Sequence, residues 1–96
     1  AYKEAILAPM SILEEASNIL FFIKKIYKNI NSNCMSDLGV AIELASSAIN
    51  GAVMNVRINL SEIKDSSYKQ RINKKIDKIL SGNDKILFEL NKNISI

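Results

Sequence analysis

Residues 36–64 read as one long helix that is apolar on two sides, and this constrains the fold more than anything else in the chain. At ~1.5 Å per residue it spans about 40 Å. Ala41, Ala45, Ala48, Ala52, Asn55 and Asn59 recur at alternating spacings of three and four. Leu44, Ile49, Val53, Val56, Leu60 and Ile63 form the opposite side. Such a helix is expected at the centre of a bundle, with the alanines letting a neighbour approach closely. Two carboxamides on it, Asn55 and Asn59, need a reason to be there, because an unpaired polar group in an apolar setting costs free energy. They pair within the protein, or they face a ligand or an interface.

Two more long helices and a short one are predicted around it. The first runs from about Ser11 to Ile30, with Ser11 and Glu14 as a capping box and Pro9 just upstream. Residues 2–8 either end a preceding helix or continue this one through a kink at Pro9. Leu13, Ala16, Leu20, Ile23, Tyr27 and Ile30 form its apolar row, with Ile12, Ile19, Phe22 and Ile26 beside it. So broad a face suits a bundle more than a two-stranded coiled coil. Residues 29–33 are the break, since asparagine favours turns. The third helix is expected from a Ser67/Gln70 capping box to Leu80, with Gly82 as its stop, and residues 84–91 as a short fourth. The expectation is an all-α bundle forming a single domain over residues 1–96, part of a larger helical domain that dimerises.

Composition narrows the function. Of the 96 residues, 48% are hydrophobic, a surplus that calls for a partner surface. Net charge is +3, but only Arg57 and Arg71 among the thirteen basic residues are arginine, and the six aromatics are scattered. No nucleic-acid partner is therefore expected. No histidine is present and Cys34 is the single cysteine, so neither a His/Cys zinc set nor a Ser-His-Asp relay can be built. A lone thiol and the lack of a signal-peptide pattern suit the cytoplasm. The apolar run from Val40 to Val56 contains Glu43 and Asn50 and meets Arg57, a poor bilayer span, so no membrane partner is expected.

Ahead of the long helix stand Asn33 and Ser36-Asp37; within it come Val40-Ala41, Leu44-Ala45, Gly51-Ala52, Asn55-Val56 and Asn59-Leu60. With Ala8-Pro9 upstream and Ile63-Lys64-Asp65 at the end, this pattern resembles the cyclodeaminase/cyclohydrolase family of folate enzymes, over roughly residues 1–65. The resemblance implies a homodimeric, metal-free helical enzyme that acts on a tetrahydrofolate derivative without another cofactor. Members are longer and carry a glycine-rich N-terminal half. Here the only glycines are Gly39, Gly51 and Gly82, so the chain looks like the C-terminal half, with the N-terminal half of the same domain as a missing partner.

The family reactions are cyclodeamination of 5-formiminotetrahydrofolate to the 5,10-methenyl form, with loss of ammonia, and hydrolysis of the methenyl form to 10-formyltetrahydrofolate. Both pass through a tetrahedral carbon and a delocalised amidinium-type cation. A carboxylate beside that carbon stabilises the cation and can move a proton. Asp37 is the candidate catalytic carboxylate, or else a first-turn residue that complements the helix dipole. Ser36 is a substrate contact or a plain N-cap. Asn33 orients substrate or forms the turn. Asn55 and Asn59, one turn apart, contact substrate or cross an interface, because carboxamides both donate and accept. Arg57 meets a folate carboxylate or a salt-bridge partner, and the lysines of the third helix attract an acidic tail or form a wet face.

The competing reading is a non-catalytic helical oligomerisation module with the alanine row as its seam. A small chorismate-mutase-like enzyme also fits the length, but its dianionic substrate calls for more than two arginines.

Overall fold

A computed structural model describes residues 2–94. Three helices carry the chain up, down and up again: α1 (Tyr2–Ile26), α2 (Met35–Leu60) and α3 (Ser66–Asn93). Two 3-10 turns, Tyr27–Asn29 and Ser32–Cys34, join the first pair, and no strand occurs among the described residues. The bundle is long and narrow, 50 × 18 × 16 Å between Cα atoms. The all-α expectation holds.

α1 is one continuous helix with Pro9 inside it. Pro9 is buried, and its missing N–H removes only one bond near the helix start. Ser11 and Glu14 therefore do not cap a helix. They are exposed on α1, and Glu14 instead pairs with Lys75 of α3 at 3.0 Å.

α1, not α2, is the helix on which both others pack. Its row of Ile6, Met10, Leu13, Ala16, Leu20, Ile23 and Tyr27 is buried throughout. From α2 come Ile42, Ala45, Ile49, Ala52, Val56 and Leu60; from α3, Ile76, Ile86 and Leu90. Ala16, Ala45 and Ala52 are small, so the α1 and α2 backbones come close, while the larger side chains of α3 hold it further off. The alanine row is thus mainly packing inside the chain: Ala45 and Ala52 are buried, and Ala41 and Ala48 half-buried. The central position expected for α2 fails because its two predicted rows, with Ala45 and Ala52 in one and Ile49, Val53, Val56 and Leu60 in the other, are buried together on one face, and the opposite face is left uncovered. Leu44, placed inward by the sequence pattern, is 67% exposed, and Val40, Met54 and Ile58 are exposed with it.

α3 begins one cap earlier than expected and does not stop at Gly82. Asp65 is the N-cap; its Oδ1 accepts the Tyr68 N–H at 3.1 Å, so the Ser67/Gln70 box is not used. The Asp65 carboxyl titrates below its usual range because of that backbone bond first and the Lys3 ammonium second. The Lys3–Asp65 pair, 3.1 Å, links the starts of α1 and α3. Past Gly82 the inward row runs on through Ile72, Ile76, Ile79, Asn83, Ile86 and Leu90 at spacings of four and three. Burial of that row carries the helix through the glycine, which keeps negative φ, and the separate fourth helix merges into α3.

By length and composition α1 and α2 are each apolar enough to cross a bilayer, which the charges of the Val40–Val56 run did not suggest. Part of that surface forms the core.

Candidate functional site

The polar cluster sits where the chain turns from α1 into α2. Asn31 makes the turn: its Oδ1 accepts the Asn33 N–H at 2.9 Å, and its carbonyl accepts the Cys34 N–H at 2.8 Å. The turn role open to Asn33 therefore falls to Asn31, and the Asn33 side chain is left exposed. Cys34 occupies the N-cap of α2 and makes no side-chain capping bond. Ser36 is not the cap; it lies inside the first turn with Asp37, and both are exposed. Uncapped amides at this end carry the positive end of the helix dipole, and Asp37 lies in that first turn.

A cavity of about 400 Å³ opens between the start of α2 and the end of α3. Ser36, Gly39, Val40, Ile42, Glu43, Leu44, Asn91 and Ile94 line it. Most of this wall is apolar, and Glu43 supplies its only carboxylate among the described residues. Sequence reasoning missed Glu43 as a site residue, although it lies two turns after Ser36 on the same face. Asp37 and Asn33 are not among the lining residues. At the same end of the bundle Tyr27 is buried, and its phenol is pushed above the usual tyrosine range by burial first and by Glu89 second.

Asn55 and Asn59 lie elsewhere. Asn55 is about 27 Å from Asp37 along α2, at ~1.5 Å per residue. The buried setting expected for both is absent: Asn55 is exposed and Asn59 half-buried. Asn59 Nδ2 donates to the Asn55 backbone carbonyl at 2.9 Å, a bond within its own helix. Within one chain, then, Asn33, Ser36 and Asp37 come together and the two later asparagines do not join them. Arg57 pairs with Asp77 of α3 at 3.3 Å, both side chains well solvated, so the pair contributes at most about 1 kcal/mol. Cys34 is exposed.

Residues 1–78 match the family described as formiminotransferase-cyclodeaminase, which takes in α1, α2 and the first half of α3. The chain belongs to that family. It is 28% identical over 78 residues to formimidoyltransferase-cyclodeaminase of Rattus norvegicus, 30% to that of Gallus gallus and 27% to that of Sus scrofa. In each case the match covers 81% of this chain and 14% of the relative, so the chain spans about one seventh of these proteins. No solved structure matches significantly. The match runs past residue 65, where the resemblance in the sequence pattern had faded, and stops four residues before Gly82.

Proposed function

We propose that this chain is the C-terminal half of a cytoplasmic folate one-carbon enzyme domain. It would form methenyltetrahydrofolate from 5-formiminotetrahydrofolate with release of ammonia, or open the methenyl form with water. The family match over residues 1–78 carries this reading, because it contains the whole polar cluster at the start of α2. Asp37, at the positive end of the helix, is the carboxylate that stabilises the amidinium-like carbon and relays a proton. Asn33 and Ser36 donate to the pterin or the aminobenzoyl amide. The apolar cavity beside Ser36 takes an aromatic ring, with Glu43 as a second carboxylate at its wall. Neither reaction needs a metal or a further cofactor.

The uncovered stripe of α2 favours a homodimer within this proposal. Val40, Leu44, Ser47, Gly51, Met54 and Ile58 recur at spacings of four and three. Large residues stand at both ends and small ones in the middle, and the order is symmetric about residue 49. A second copy laid antiparallel along this stripe brings its own Asn59 opposite Gly39, on the flank that carries Asp37. The two asparagines that one chain leaves remote then reach the site from the partner. The remaining exposed apolar row of α1, with Ile12, Ile19 and Phe22, is left for the N-terminal half of the domain.

Turnover of 5-formimino- and 5,10-methenyl-tetrahydrofolate by the full-length protein tests this. Asp37→Asn is expected to lower kcat by about 100-fold or more with the helical circular dichroism unchanged. Full turnover in that variant removes Asp37 from the mechanism, and Glu43→Gln measured alongside shows which carboxylate acts. Failure of the wild-type protein to turn over either folate overturns the proposal.

A further inference from the structure

A second cavity, of about 430 Å³, lies on the other side of α1, against the middle of α3. Lys24 of α1 and Lys78 and Lys85 of α3 line it, and none of the three is in an ion pair among the described residues. Phe21 and Ile86 supply apolar wall. Asn83 also lines it, in a row whose other members are isoleucine and leucine, and it is 3% exposed. The Ser17 hydroxyl donates to Asn83 Oδ1 at 2.8 Å, which leaves Nδ2 buried without a partner. An orphaned buried donor costs about 1–3 kcal/mol.

Three cations share one concavity that has no carboxylate among its lining residues, and the Asn83 amide, with its unused donor buried in the wall, lies beside them. We infer that this cavity binds a small organic anion whose carboxylate or phosphate oxygens meet Lys24, Lys78, Lys85 and the Asn83 amide while its carbon skeleton lies against Phe21 and Ile86. The inference stands apart from the folate chemistry, because the cavity is formed by α1 and α3 and uses no residue of α2.

Titration of the asparagine-labelled full-length protein with inorganic phosphate and, separately, glutarate tests it, read by the nuclear magnetic resonance of the Asn83 side-chain amide. The resonance is expected to move saturably with at least one probe, and the one that binds identifies the oxyanion. Lys78→Gln combined with Lys85→Gln weakens that binding about tenfold or more, and Lys64→Gln, outside the cavity, leaves it unchanged. Asn83→Leu, which completes the apolar row, raises the melting temperature and weakens binding, read for this variant by isothermal titration calorimetry. Three results overturn the inference: no movement with either probe, equal weakening by Lys64→Gln, or undiminished binding by Asn83→Leu.

Discussion

The two sides of α2 are made of similar residues and meet different fates. One side, from Ile42 through Ile49 to Leu60, is buried against α1. The other, from Val40 through Leu44 to Ile58, lies open for the full length of the helix. The difference lies in shape and in neighbours. The buried side carries Ala45 and Ala52, and α1 carries the buried Ala16, so the two backbones come close. The open side has small residues only at its centre, Ser47 and Gly51, and among the described residues no helix packs along it. Apolar periodicity marks a surface that will be covered; it does not name the cover.

The largest effect expected from breaking this comparison is on the buried side. Leu20 is fully enclosed by the core, and Leu20→Ala should lower unfolding free energy by about 2–5 kcal/mol, measured by urea denaturation. On the open side, Leu44→Lys with Met54→Lys should cost little folding stability yet weaken self-association at least tenfold, measured by sedimentation equilibrium. An association constant unmoved by that pair would show that the stripe is not the dimer seam.

Gly51 sharpens the contrast at a single position. An added Cβ meets nothing within 4 Å there, nor at Gly82, so Gly82→Ala should stabilise its helix by about 0.5–1 kcal/mol. Gly51→Ala should give the same gain to the isolated chain and a weaker dimer, because the extra methyl group falls at the crossing point. A tighter dimer would argue against the antiparallel register.

The smallest effect concerns the cap of α3. The folded-state pKa of Asp65 lies below its unfolded value, so the stability it contributes is present above the ordinary aspartate pKa. That contribution is lost as pH falls through the depressed folded value. Asp65→Asn should therefore lower the melting temperature at neutral pH and show a smaller acid dependence than the wild type, followed by thermal scans across the acidic range.

Much of the fold was legible. The three-four rows placed all three long helices, and the run of asparagines at 29–33 marked the break. Most of the errors share one cause. Ser11/Glu14 and Gly82 are local start and stop signals, worth about 1 kcal/mol each, and tertiary burial of a continuous apolar row outweighs them, while Ser67/Gln70 gives way to the Asp65 cap just upstream. In α3 that row passes directly through Gly82 to Leu90. The candidate site was legible only where its residues are close in sequence. Asn33, Ser36 and Asp37 are neighbours in sequence and had to be neighbours in space. Glu43 and Asn83 needed the helices docked before their surroundings could be seen, and Asn55 and Asn59 shared a face with each other without sharing a place with Asp37.

By itself the sequence determined that the chain is helical, where its polar cluster falls, and which family it belongs to. Those properties follow from short-range periodicity and residue order, which no packing arrangement can alter. Only the tertiary structure decided that α1 rather than α2 lies between its neighbours, that one apolar side of α2 is left open, and that a carboxamide is buried with an unused donor beside three lysines. Each of these depends on which faces meet, and that is set by the fit of side chains far apart in the chain.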